Sequence, residues 1–367
     1  MGHDTINSNA MIITSEQTPL VSDAKTKRWG GTGDCEIGEL PHCTDQMSMD
    51  DNDSTISVSH LVSALQGRLL LLIVAFLYGS LNVSLRLVYQ RPGPPSASAL
   101  SSSRGWLAIA CFLPLLMKHK PNPVYSDATN ATRTTTCASF WWVAMELAIC
   151  NFGAQALLTL GLFSTASARA SFFTQTSVVM TPILSAAVGY RIHWRVWLGC
   201  VIALIGLSLL SDNGKEKISF HFGIGDLFCL AGAFCWSFYL FRLSSVGGSF
   251  DEVQMQAAKT FLLAVLYSVW YIFAQLQSET NLWAGWNDWI SWIFIFYSAL
   301  GPGALADIIQ QKGQAIVCAA EANVILSLEP VFTACLGLLF LGEETTLHEK
   351  TGGTLIILAS IISTSVE

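Results

Sequence analysis

The chain has 367 residues, 52% of them hydrophobic and 12% charged, with a mean hydropathy of +0.48. A chain this apolar cannot place a polar skin around a water-soluble core, which excludes a soluble globular enzyme and makes a bilayer its natural solvent. The net charge of −7 resides in residues 1–66, where ten acidic residues face three basic ones; the other 301 residues carry sixteen of each sign, so the body offers no basic face and no nucleic-acid partner is expected.

Residues 1–66 are rich in Ser, Thr, Asp and Gly without a sustained period, and are expected to be a disordered acidic tail. They lack the layout of a signal or transit peptide, so the first apolar segment is expected to act as the targeting signal. Cys35, His42 and Cys43 match none of the usual zinc spacings, and no metal or cofactor is expected. Seven further cysteines lie in apolar runs, as small hydrophobes do.

From Leu69 onward, stretches long enough to cross about 30 Å of hydrocarbon recur between short polar breaks. Ten are read, at 69–89, 99–117, 140–161, 167–189, 195–211, 223–241, 254–275, 287–308, 315–340 and 350–365. Their apolarity is continuous rather than alternating, which selects helices over a barrel. The expected fold is therefore all-α and integral to the membrane, with ten transmembrane helices. An even number puts both termini on one side, which a weak excess of Lys and Arg assigns to the cytoplasm. Trp141, Trp142, Trp283, Trp286 and Trp289 fall at span ends, as an interfacial belt.

The two halves of this region repeat. Gln175-Thr-Ser-Val-Val-Met-Thr-Pro182 has its partner in Asn323-Val-Ile-Leu-Ser-Leu-Glu-Pro330, 148 residues later, and at the same offset Trp141 meets Trp289 and Gly153 meets Gly301. At an offset of 156 Arg86-Leu87 meets Arg242-Leu243, and at 155 Arg104 meets Lys259. Five spans per copy is an odd number, so the copies are expected to be inverted, which suits alternating access. The expected organisation is a tail at 1–66, one five-helix repeat at 67–211, a connecting loop at 212–222 and a second repeat at 223–366.

These phrases, with Gly342-Glu343-Glu344 after the second proline and the span-terminal Arg86 and Arg242, resemble the drug/metabolite transporter superfamily, and within it the EamA-like carriers, over about residues 67–366. The resemblance implies a substrate cavity lined by spans one to four and six to nine, with spans five and ten as scaffold. The chain departs from the pattern in its first copy. Arg191 stands near the place where the family has a Glu, and Pro182 to Gly199 is five residues shorter than Pro330 to Gly352.

Ionisable groups within a bilayer are costly and ask for a partner or a wet cavity. The candidates are Arg104, Glu146, Arg169, Lys259, Asp307, Glu321 and Glu329. Glu329 precedes Pro330, whose missing N–H opens a helical turn, so it reads as a cation or proton site or as the partner of Lys259 or Arg104. Glu321, two turns earlier, is the second candidate for coupling. Arg104 and Lys259 suit an anionic substrate group, or each neutralises a nearby carboxylate. Gln155, Gln175 and Asn323 either hydrogen-bond a substrate or bridge helices. Asp307 reads as an interfacial or helix-pairing group and Arg86 and Arg242 as snorkelling cations. Pro182 and Pro330 read as hinges, with Gly153, Gly301 and Gly303 admitting close helix approach.

The leading expectation is a secondary transporter of a small organic metabolite, with protons as a candidate coupling ion and a homodimer left open. No phosphate-binding Gly-x-x-x-x-Gly-Lys loop is present to drive a pump, and neither His-Glu-x-x-His nor Gly-x-Ser-x-Gly is present to suggest an intramembrane enzyme. The alternative is a transport-inactive sensor or scaffold on the same bundle.

Overall fold

The computed structural model describes residues 54–118, 133–164, 170, 173–211, 223–278, 288–342 and 347–365, and among them every regular element is helical. In chain order these are α1 Ser54–Tyr89, α2 Ala97–Lys118, α3 Arg133–Ser164, α4 Ser177–Val188, α5 Trp194–Ser211, α6 Ile224–Val246, α7 Glu252–Gln277 and α8 Trp289–Ala299. A π-helical turn, Leu300–Leu305, leads into α9 Ala306–Gln314, followed by α10 Ala319–Leu326, α11 Glu329–Leu341 and α12 Leu347–Thr364. Seven helical stretches among the described residues are long and apolar enough to cross a membrane: 62–89, 97–118, 139–161, 224–246, 252–277, 289–314 and 319–340. Two shorter apolar stretches cover 173–188 and 194–209.

Helix α1 starts at Ser54, twelve residues before the expected end of the disordered tail at 66. No Pro separates Ser54 from the apolar run, the single Gly67 is carried within the helix, and extending a formed helix is easier than nucleating one. The rest of the tail lies outside the described residues, as do the sequon at Asn130, Arg169, Trp283, Trp286, Glu343 and Glu344.

Aspartates begin three helices of the second half. Asp226 accepts from the Gly223 N–H at 2.9 Å, Asp251 from the Gln254 N–H at 3.0 Å and Asp288 from the Ile290 N–H at 3.3 Å. Each satisfies a donor that the helix geometry leaves orphaned. The outward faces are apolar, with Leu69, Phe76, Ile272, Phe273 and Leu339 exposed, which is sensible only where the surroundings are hydrocarbon.

The packing repeats between the two copies. Helix α1 lies against α8–α9 as α6 lies against α3, and α1 against α10–α11 as α6 against α4, while α2 packs on α7 and α5 on α12. Small residues permit these approaches. A side chain at Gly79 would come within 2.7 Å of Phe332 and 3.0 Å of the Glu329 carbonyl, and one at Gly206 within 2.8 Å of the Gly352 carbonyl.

Contacts define two ends of the bundle. Gly67 faces Ile316 and Val317, and Gly247 faces Ala315, at one end; we call it the terminal end, because α1 starts there. At the other, Arg91 in the turn between α1 and α2 pairs with Asp288 at the start of α8, and Gly161 at the end of α3 meets Gly225. The hydrogen bonds from Arg91 and Ser291 hold the Asp288 carboxyl well below the usual carboxylate range.

Candidate functional site

The two copies of the proline-bearing span break in different places. In the second, a turn at Ser327–Leu328 separates α10 from α11, and Pro330 follows as the second residue of the new helix, where its missing N–H is an orphan anyway. In the first, the turn falls at Thr176, and Pro182 sits inside the continuous α4. The break is therefore at the proline in one copy and six residues before it in the other. Gly301 and Gly303 flank Pro302 in the π-helical turn; a side chain at Gly301 would meet only Tyr297 of its own helix, at 3.6 Å, whereas one at Gly303 would reach Ala108 of α2 at 3.8 Å. Proline and π geometry commonly occur together where a helix is locally opened. Gly153 does face a neighbour, with the Cys235 sulfur 3.3 Å from where its Cβ would lie.

Around these breaks lies a cavity of about 810 Å³. Its walls come from α1 (Tyr78 to Arg86), α2 (Ser101 to Ala108), α3 (Asn151 to Leu158), residues 174–178, α6, α7, the π turn and the α10–α11 break, with Glu349 of α12 also contributing. Arg104, Gln155, Gln175, Asn323, Glu329 and Pro330 all line it. Six residues scattered over 227 positions are thus brought to one chamber. Lys259, Glu321 and Pro182 are not among the lining residues.

Each charge has its own setting. Glu329 accepts from Asn82 Nδ2 at 2.8 Å, and Asn82 also reaches Thr333 Oγ1 at 3.2 Å. The partner of Glu329 is thus a neutral amide of α1 rather than Lys259 or Arg104. Asp307 at the cavity floor accepts from Lys259 Nζ at 2.7 Å, and Lys259 is fully buried behind it with Tyr239 Oη at 3.2 Å and the Tyr239 ring beneath. Arg104 forms no ion pair or hydrogen bond among the described residues, and its Nε is shut away from solvent without an acceptor. Asn323 is committed to structure: its Nδ2 donates to Ser177 O at 2.8 Å and to Thr181 Oγ1 at 2.7 Å, tying the break in the second copy to α4. Gln155 and Gln175 make no side-chain hydrogen bond among the described residues.

The half of the bundle toward the terminal end is closed. Arg68 pairs with Glu321 at 2.8 Å, and Arg242 takes Glu146 in a two-pronged bridge at 2.7 Å per contact, so Arg242 is an internal tie rather than a snorkelling cation. Between these ties lies a layer of amides. Tyr78 Oη donates to Gln310 Oε1 at 2.6 Å and Gln256 Nε2 to Gln311 Oε1 at 2.8 Å, while both polar atoms of the Gln314 side chain are buried without a partner among the described residues.

Tyr78, Asn82 and Thr260 were not legible as site residues in the sequence. Asn82 alone left a trace, as an isolated amide one helical turn before Arg86 in an otherwise apolar run. No cluster of three or more metal-ligating side chains occurs among the described residues.

Comparison with known proteins bears on this arrangement. A family model described as the EamA-like transporter family matches twice, over residues 65–212 and 223–365. A protein of Archaeoglobus fulgidus described as an uncharacterized transporter is 26% identical over 218 residues, covering 59% of this chain and 67% of that protein. A solved crystal structure superposes with a TM-score of 0.62 over 81% of this chain and 95% of that one at 15% sequence identity, a likeness of fold alone.

Proposed function

The chain belongs to the EamA-like transporter family, and from that premise we propose that it is a secondary carrier moving a small organic metabolite across its membrane by alternating access between two inverted five-helix halves. The seven long apolar helices are joined in this reading by α4, α5 and α12 as three further crossings, which places both ends of the helical body on one side, the cytoplasmic one. Residues 67–211 and 223–366 form the two halves and 212–222 their connection.

The observation that carries the reading is the asymmetry of a symmetric packing. The cavity takes walls from both halves and extends toward the end carrying the turn between α1 and α2, while the terminal half is sealed by ion pairs and an amide layer. Exchanging the conformations of two inverted halves seals the first end and opens the second. The polar ties at the sealed end suit that duty. In this reading they hold the closed state by groups that water can satisfy once it enters, and the amide atoms of Gln256, Gln310 and Gln314 that lack a partner among the described residues would gain one then. Pro330 and the α10–α11 break supply the point where a half-helix turns.

Glu329 is the coupling group in this reading. It lines the cavity, whereas Glu321 is held by Arg68. Purified protein in proteoliposomes, loaded with a mixed metabolite pool and given a pH gradient, is expected to show gradient-driven uptake that Glu329→Gln abolishes while exchange of substrate for substrate continues. Single cysteines at the cavity and in the amide layer are expected to exchange accessibility when substrate is added. A protein that binds solutes but never exchanges them across the bilayer is a sensor on the same bundle, and that result overturns the carrier reading.

A further inference from the structure

Most charges in the cavity wall have an assigned counterpart. Asp307 is neutralised by Lys259, Glu329 accepts from Asn82, and Arg86 and Glu349 are each engaged in an interaction. Arg104 stands apart, with no ion pair or hydrogen bond among the described residues and its Nε enclosed without an acceptor. A second group of the wall shares this condition. Thr260 lies on α7, the helix packed against α2; it is 5% exposed, lines the same cavity, and its Oγ1 has no partner among the described residues. The two helices approach closely there, since a side chain at Gly105 would meet Ala264 at 3.0 Å.

A guanidinium that lines a membrane cavity with its Nε enclosed and no ion pair among the described residues is costly. With Asp307 bound to Lys259 and Glu329 to Asn82, a direct ionic partner for Arg104 is left to whatever fills the cavity. The planar fork of a guanidinium presents parallel N–H donors that match the two oxygens of a carboxylate. One unpaired cation balances a single negative charge, whereas a phosphate group near neutral pH carries closer to two. The remaining volume leaves room for an organic body, beside which Gln155 and Gln175 offer amides with no side-chain partner among the described residues.

We propose that the cavity is a binding site for a small organic carboxylate, held by its carboxylate on the Arg104 guanidinium with the Thr260 hydroxyl as a further donor. The proposal names the substrate class of the carrier described above and rests on that reading for its physiological meaning. Lys259, although it matches Arg104 in the repeat, takes no part, because Asp307 already occupies it.

The test uses the purified full-length chain in detergent, with thermal unfolding and titration calorimetry against sodium butyrate, glutarate and glutamate, with butyramide, glutaramide and inorganic phosphate as controls at equal ionic strength. At least one carboxylate is expected to stabilise the protein, and neither amide is. Losing a charged hydrogen-bonded pair weakens binding roughly 10- to 100-fold, and that loss is expected for Arg104→Gln, with Arg104→Lys intermediate and Thr260→Val affected by only a few fold. Unliganded melting of Arg104→Gln no lower than that of the wild type shows that the variant is folded. The proposal is overturned by a flat response to all three carboxylates, by equal carboxylate binding in Arg104→Gln, or by phosphate binding more tightly than every carboxylate. Flux of a neutral solute that Arg104→Gln leaves intact removes the anion site and keeps the carrier. Carboxylate binding that depends on Arg104 but yields no flux keeps the site and removes the carrier.

Discussion

In the first copy the cation of the second span, Arg104, lines the cavity without a partner among the described residues, whereas its counterpart in the second copy, Lys259, is fully buried and closed off by Asp307 and Tyr239. The proline-bearing spans diverge in the same way. Thr181, before Pro182, receives a hydrogen bond from Asn323 inside the packing, and Glu329, before Pro330, faces the chamber. A duplicated bundle needs both copies for its shape, since each helix of one half packs as its equivalent does in the other. A ligand needs its charged contact only once. In the proposed site the position without an ion pair among the described residues is the one that binds, and its twin is structural.

The contrast can be tested by removing each cation in turn. Lys259→Met leaves Asp307 without its counter-charge, and breaking a buried pair on one side costs about 3–5 kcal/mol; a large fall in melting temperature is expected, with much of it restored in the Lys259→Met, Asp307→Asn double variant. A normal melt for the single variant would sink the idea that Lys259 is structural. Gly79→Ala probes the packing that both copies share. Its new methyl meets Phe332 and the Glu329 carbonyl, and overpacking of this kind costs about 1–3 kcal/mol, readable in the same melt. Asn323→Ala removes the bridge to Ser177 and Thr181, for which a loss of about 1–2 kcal/mol is expected from unmade buried hydrogen bonds.

Arg104→Gln sharpens the comparison through its sign. Taking away a charge that has no ion pair or hydrogen bond among the described residues strands no partner there, so the unliganded protein is expected to melt no lower than the wild type. A fall as deep as that of Lys259→Met would show that Arg104 is paired after all. The smallest effect is expected at Asp288, outside the spans. Its carboxyl is held low by Arg91, so its contribution is fully present above the ordinary carboxylate value near 3.9 and is lost as pH falls through the lowered one. Asp288→Asn is thus expected to lower stability slightly at neutral pH and to converge with the wild type in strong acid, as urea or thermal melts across pH can check.

Much of this architecture is legible in the order of residues alone. Continuous apolar runs of about twenty residues can only be helices in lipid, because the backbone must satisfy itself there, and helix positions follow from that alone. The offsets of 148, 155 and 156 announced the duplication, and the cost of charge in a membrane singled out Arg104, Lys259, Asp307, Glu321 and Glu329. The long α1 was misread at its start because its first turns are polar, and a polar segment borrows helicity from an apolar one joined to it.

What the sequence determined by itself is therefore the solvent, the helical class, the two copies and the short roster of intramembrane charges, since each of these is written in composition or spacing along one chain. Only the tertiary structure decided which of those charges are used up. Lys259 found Asp307 across 48 residues, Glu321 found Arg68 across 253 and Glu329 found Asn82 across 247. Pairing is a matter of a few ångströms between helices, and nothing in the order of residues along a chain fixes which helix faces which until the bundle closes.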